Sequence, residues 1–534
     1  MITRLKATRK IHFVLNGTGE EIFMTTLEHI ISLFDYLPAE EFQLPVGGIR
    51  FDECSVHRKD DQIDYCSVRG KILPVHQDSW PICFQVNLPV KWNGKAIQYG
   101  GGGFDGFLVD AVGPYSGEVL DQLPPVERGY VTFGSDGGHQ GTGWDSRFSL
   151  DEEALHNFAC ESVKKTKDAA VTLMKRFYQK EPDRVYFIGG SNGGREGLKA
   201  IQKYPEDYDG LICQFPVLNW IGKAIVESRH GDFQQDGGID YYIGREQYLT
   251  VQKIITEYWD ELDGVKDGVI SNWQVAEEKK GEILGKLQKI LTPKQMETLW
   301  EFEKKQILPY PLSNGVETVY GYNIFSGTAM VDGISSLLNV DPAKRDGAMV
   351  EFGDAVIRYQ IMRDESFEPS HFDVEAYREQ VLLASNLLDA TDPALDRFYH
   401  KGGKILLTHG TSDQVVAMRN TIAYYERLKE YFGKEKLDTF VRFYIVPGYG
   451  HGFGEIFTMG CDLLEALDNW VERGNAPDEL FMTDQVEGHG KRTRPLYPYP
   501  YYAKYLGSGD PNQVENYHRM KMQEGSIPSI CSHS

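Results

Sequence analysis

A chain of 534 residues is too long for one ordinary compact domain, so a core with a large insertion, or two domains, is the starting expectation. Hydrophobic residues at 41% and charged residues at 25% are those of a globular protein and exclude a disordered or fibrous chain. A formal charge of −22 argues against nucleic acid as a partner and against an anionic membrane surface.

The first fifty residues are loosely amphipathic, with apolar side chains at Ile22, Phe23, Leu27, Ile30, Ile31 and Leu33, and they lack the apolar stretch of a secretory signal. No run of about 18 apolar residues occurs anywhere, so no membrane span is expected. The seven cysteines, at 54, 66, 83, 160, 213, 461 and 531, form no CxxC pair and read as free thiols of a reducing compartment, which predicts a cytoplasmic protein.

Residues 50–92 alternate and are rich in Val, Ile and Tyr, which predicts antiparallel strands. From residue 95 the rhythm changes to short apolar runs that end in glycine-rich turns and lead into helical periodicity. The runs are Ala96–Tyr99, Tyr130–Phe133, Val185–Ile188, Leu211–Phe215, Ile405–Thr408 and Phe440–Val446. Strands apolar on both faces and separated by helices indicate a mainly parallel sheet flanked by helices.

After the first of these runs comes Gln98-Tyr-Gly-Gly-Gly-Gly-Phe-Asp-Gly, where four glycines let backbone N–H groups approach a ligand closely. The run lacks the Lys-Ser/Thr of a phosphate-binding loop and the GxGxxG spacing. It suits one half of an oxyanion site, with Gly102 as the donor and Gly101 or Gly103 as alternatives. Asp136 also follows a strand but precedes the serine described next, so it is read as structural.

Residues 184–197 contain Gly189-x-Ser191-x-Gly193, preceded by the strand Val185–Ile188 and followed by a helical pattern that stops at Pro205. The pattern alone is weak, but strand–tight turn–helix is the context of a nucleophile elbow. Glycine on either side of the serine avoids collisions in such a turn, and the serine oxygen projects at the positive end of the following helix. Ser191 is the candidate nucleophile, and the N–H of Asn192, next in the chain, is the second oxyanion donor.

The strand rhythm stops near residue 218 and resumes near 403. The intervening stretch is polar, rich in Tyr and Lys, and mostly helical in pattern, as over Lys279–Lys305. This divides the chain into a catalytic domain over 1–217 and 385–534 and an inserted lid over 218–384.

A neutral serine needs a base, and the fold supplies triad residues in the order Ser, Asp/Glu, His. Asp413 lies just past the strand Ile405–Leu407 in Thr408-His-Gly-Thr-Ser-Asp-Gln, and is the candidate acid. His451 follows the strand Phe440–Val446 in Pro447-Gly-Tyr-Gly-His-Gly-Phe-Gly and is the candidate base. The interval between them holds one helix, Arg419–Tyr431, and one strand. His409 competes with His451 but precedes the acid.

With these residues in place, the chain resembles the tannase and feruloyl esterase family. The matching stretches are GGGGFDG at 100–106, GYVTFGSDGGH at 129–139 and GGSNGGREGLKAIQKYPEDYDGL at 189–211. They continue with LLDATDPALDRFYHKGGKILLTHGTSDQVV at 387–416, RFYIVPGYGHGFG at 442–454 and RPLYPYPYYAKYLGSGD at 494–510. The resemblance implies the α/β-hydrolase fold with a large inserted lid, and a serine esterase acting on small-molecule esters of hydroxybenzoic or hydroxycinnamic acids, with no organic cofactor. It assigns the same triad, Ser191, Asp413 and His451. Alternatives on the same machinery are an amidase or peptidase, a polyester-fragment hydrolase, or a catalytically silent binding protein.

Two departures stand out. Family members carry a disulfide between cysteines flanking the serine and the histidine; here those positions are Gly190 and Gly452, which leaves open how the two loops are held together. Trp259 likewise replaces a cysteine usual in the lid. The resemblance also implies a structural Ca²⁺ in the lid, held by Asp260, Asp263 and Asp267 with the carbonyls of Val265 and Val269. Three carboxylates in a loop with Gly264 and Gly268 are hard oxygen donors of the kind this ion takes.

Overall fold

The computed structural model describes residues 39–59, 62–330 and 336–522. The amphipathic stretch expected over 22–33 and Cys531 lie outside the described residues.

A nine-stranded sheet organises the molecule. Its strands are β1 (Gly48–Lys59), β2 (Gln62–Leu73), β3 (Ile82–Pro89), β4 (Lys95–Tyr99), β5 (Val131–Ser135), β6 (Arg184–Gly190), β7 (Gly210–Gln214), β8 (Lys404–Gly410) and β9 (Val441–Val446). They lie in the order β1-β2-β3-β5-β4-β6-β7-β8-β9. The first three, expected from residues 50–92, pair antiparallel with one another and with β5; every later pairing is parallel. The order and the flanking helices are those of the α/β-hydrolase fold.

The parallel strands read as unbroken apolar runs because both faces are covered. On one face Val185, Phe187 and Leu211 pack with Leu173 of α1 (Ser162–Tyr178) and Leu198 of α2 (Asn192–Lys203). On the other, Tyr186, Ile188, Ile212 and Leu406 pack with Leu463, Leu467 and Trp470, which belong to a helix over Leu463–Arg473 near the end of the chain.

Between β7 and β8 the chain leaves the sheet and returns to the strand next to the one it left. The excursion opens with α3 (Trp220–Gly237) and includes α4 (Ala348–Ala355), which packs against α3. The helical pattern expected over Lys279–Lys305 is two helices, Gly281–Leu287 and Pro293–Glu303. The break is local chemistry: Thr292 caps the second helix, Gln295 closes a capping box with it, and Pro293 occupies the first turn, where its missing N–H is harmless. Trp259 is buried and donates its indole N–H to the Phe325 carbonyl at 2.9 Å, so an aromatic core contact stands where the family has a cysteine. Beyond the excursion, α5 (Met418–Phe432) joins β8 to β9.

Candidate active site

Ser191 sits between the end of β6 and the start of α2 at φ 58°, a left-handed backbone that a non-glycine residue adopts only when its surroundings impose it. The turn is held by Ser191 N–H donating to the Gln214 carbonyl at 3.0 Å and by Val217 N–H donating to the Ser191 carbonyl at 3.2 Å. Two glycines are obligatory here. A Cβ on Gly189 would lie 2.4 Å from the Gly193 carbonyl, and one on Gly193 would lie 2.7 Å from the Gly101 carbonyl oxygen.

Asp413 and His451 come together from the loops after β8 and β9. His451 Nδ1 donates to Asp413 Oδ2 at 2.9 Å. The other oxygen, Asp413 Oδ1, accepts the N–H groups of Val415 and Val416, each at 2.8 Å. His409 is buried behind the acid, with Nε2 3.2 Å from Asp413 Oδ2 and 3.0 Å from the Val416 carbonyl, and with Nδ1 2.9 Å from the Thr421 hydroxyl. It therefore braces Asp413 and does not reach the cavity. Burial alone would raise the Asp413 carboxyl, but the imidazoles of His451 and His409 hold it well below the usual carboxylate range.

Ser191 and His451 line one cavity of about 510 Å³, a size that suits a small organic ligand. No hydrogen bond joins the two side chains in this structure, a separation common in ligand-free hydrolases, where such contacts tighten on binding. Asn192 and Gly102 line the same cavity. In the glycine loop, Gly100 N–H donates to the Ile188 carbonyl at 2.9 Å and Gly101 N–H donates to Glu196 Oε2 at 3.1 Å. Gly101 is thus engaged, whereas Gly102 N–H makes no hydrogen bond to a described residue and a Cβ there would meet open space. Asn192 is fixed through its side chain, which donates to Asp105 Oδ1 at 2.8 Å and accepts from Arg195 Nε at 2.7 Å. Burial first, and then the neighbouring Glu196 carboxylate, push the Asp105 carboxyl well up. Asp105 and Glu196 together fasten the glycine loop to the start of α2. Asp136 lies away from the cavity and accepts the N–H groups of Cys83 at 3.0 Å and Gly138 at 2.9 Å, a structural role.

Sequence reading missed the residue that joins the serine and histidine loops. Phe215 follows β7 at φ 34°, is buried, and has its ring centroid 4.7 Å from that of His451. A Cβ on Gly190 would lie 2.6 Å from this ring, and one on Gly452 would lie 3.3 Å from it. The phenyl ring fills the space between Gly190 and Gly452, the two positions at which the resemblance implies a crosslink in other members. The remaining walls, including Trp144, Trp220, Lys223, Met349 and Phe352, were also not named from the sequence. They come from segments far apart in the chain, and no local spacing marks them.

The three carboxylates of the acidic loop are arranged around their own backbone. Asp260 Oδ1 accepts from Asp267 N–H at 3.1 Å and Gly268 N–H at 2.8 Å, while Asp263 Oδ1 accepts from Val265 N–H at 3.2 Å. Asp267 Oδ1 accepts from Val269 N–H at 3.1 Å, and its Oδ2 pairs with Arg494. Among the described residues no three or more His, Cys, Asp or Glu side chains form a group that could hold a metal ion by themselves. Asp260 and Asp263 are buried acids, and burial lifts Asp263 to about 7.

The family model for tannase and feruloyl esterase matches residues 66–520. An uncharacterized esterase of Agrobacterium fabrum is 33% identical over 89% of both chains. A mono(2-hydroxyethyl) terephthalate hydrolase of Piscinibacter sakaiensis is 28% identical over 85% of this chain and 84% of its own. In structure, feruloyl esterase B of Aspergillus oryzae superposes with a TM-score of 0.73 at 19% identity, over 93% of this chain and 100% of that one, which shows the shared fold. The match over most of the chain settles the family: the protein belongs to the tannase and feruloyl esterase family and is a carboxylic ester hydrolase.

Proposed function

We propose that the protein hydrolyses small-molecule esters of aromatic acids through an acyl-enzyme on Ser191. The observation that carries this reading is the convergence of Ser191 and the His451–Asp413 pair on one cavity whose walls include Trp144, Phe215, Trp220 and Phe352. Ser191 Oγ attacks the ester carbonyl while His451 Nε2 takes its proton. Asp413 holds the Nδ1–H tautomer and stabilises the imidazolium that forms. The N–H groups of Asn192 and Gly102 receive the oxyanion. His451 then returns the proton to the departing alcohol, and water cleaves the acyl-enzyme by the same route.

The segment 218–384, which supplies Trp220, Met349 and Phe352, acts in this reading as the lid that shapes the acyl pocket. The acidic loop takes a structural Ca²⁺ through Asp260, Asp263 and Asp267 with the Val265 and Val269 carbonyls, which would offset the burial of Asp263. The six described cysteines are free, which supports a reducing, cytoplasmic setting.

A screen of aryl and alkyl esters and matched amides against the parent and Ser191→Ala tests the mechanism. Ester turnover by the parent and at least about a thousandfold loss in the variant are expected. A variant as active as the parent, or failure of a fluorophosphonate to label Ser191 in folded protein, overturns it.

A further inference from the structure

One cavity group has no part in the chemistry just described. Lys223, one turn into α3, brings an ammonium group to the wall, and among the described residues that line the cavity none carries a carboxylate. Its side chain is only 11% exposed. An ammonium has three donors to place. One meets a hard acceptor, Glu227 Oε1, at 2.5 Å. Its other neighbours are soft: the Met349 sulfur at 3.8 Å and the Phe352 ring, whose centroid is 4.7 Å away. Both soft neighbours line the cavity, whereas Glu227 does not. Glu227 is itself a weak counter-charge, because burial pushes its carboxyl up to about 7.

A largely desolvated ammonium with a single hard acceptor among the described residues has room for a second, and Lys223 lines the cavity from which one would come. In a chain of net charge −22, which repels anions at long range, such a cation acts only on what has already entered. The aromatic wall beside it, Trp220 and Phe352 with ring centroids 5.2 Å apart, suits a flat group carrying that anion.

We propose that Lys223 forms an anion subsite of the ester cavity and selects aromatic esters bearing a carboxylate remote from the reacting carbonyl. This deepens the ester reading above and rests on it.

The test uses matched pairs of aryl esters that differ only in a ring carboxylate or carboxamide, placed at each ring position on the acid side or on the alcohol side. For at least one placement the parent favours the carboxylate by about ten- to a hundredfold in kcat/KM, mostly through KM. Lys223→Met brings that ratio to about one, and Lys223→Arg retains most of it. Because methionine leaves Glu227 without its partner, the double variant K223M/E227Q is measured alongside and gives the same flattened ratio. The carboxamide partner reports ester turnover in every variant. No preference by the parent at any position, or an undiminished ratio in the double variant, overturns the anion subsite while leaving the esterase reading intact. No hydrolysis of any pair by the parent overturns both.

Discussion

The residue that most directly tests how this site is held together is Phe215. Its ring is wedged between the serine turn and the histidine loop, 4.7 Å from the His451 ring and 6.2 Å from that of Tyr449. Phe215→Ala keeps a Cβ, so the left-handed backbone at φ 34° carries the same strain before and after, and the comparison reads the ring alone. Truncating a buried Phe costs about 3–5 kcal/mol, from lost transfer free energy and from the cavity left behind. The cavity opens at Gly190 and Gly452, neither of which has a side chain to fill it. His451 then keeps its Nδ1 bond to Asp413 but loses the surface that fixes the ring's tilt. A misplacement of about 1 Å in a catalytic group is worth about a hundredfold in rate. The expected result is a fall in kcat of about ten- to a hundredfold, with KM changed by less than about threefold. Phe215→Leu, which restores part of the packing, falls between. Steady-state kinetics on one aryl ester, beside urea unfolding of each variant, separates activity from stability. If kcat stays within about twofold of the parent while stability falls by the predicted amount, the ring is core filling only and the positioning argument fails.

Glu196→Ala removes the acceptor of Gly101 N–H and should lower kcat by about tenfold as the glycine loop loosens. Asp105→Asn, which keeps an oxygen acceptor for the Asn192 amide, should stay within a few fold, and an Asn variant as impaired as Glu196→Ala would refute that acceptor role. For Glu227, burial raises the folded carboxyl to about 7, so the folded state binds a proton that the unfolded chain releases. Stability from this group is therefore highest at low pH and declines as pH rises toward 7, by at most about 3 kcal/mol. Glu227→Gln should gain stability relative to the parent between pH 5 and pH 8 in urea unfolding, and a difference independent of pH would refute the assignment. Adding CaCl₂ to chelator-treated protein should raise Tm by a few degrees, roughly, where MgCl₂ does not; identical melting in all three conditions would remove calcium from the lid.

Much of the catalytic core could be read from residue order. The strand–turn–helix around Ser191, the Asp413 loop after one strand and the His451 loop after the next are local patterns. Each strand is an apolar run because both sheet faces are covered, so the runs announce the sheet and its loops announce the candidate triad. Thr292-Pro293 is a legible start signal as well, and it divides the helical pattern over Lys279–Lys305 into two helices.

What the residue order could not supply is everything decided by segments distant in the chain. Phe215 looks like the last residue of a buried strand, and only the folded molecule shows its ring filling the gap that Gly190 and Gly452 leave between two loops. His409 reads as a rival base until the structure sets it behind Asp413 with its ring nitrogens engaged. Among the four glycines, local sequence treats 101 and 102 alike, and the approach of Glu196 is what engages the N–H of one and leaves that of the other without a described partner. Lys223 is one lysine among many on an acidic chain until Met349 and Phe352 pack around it. Periodicity and turn chemistry act over a few residues and therefore survive in the sequence; the partners of a buried charge or ring are chosen by packing across the sheet, where separation along the chain carries no information.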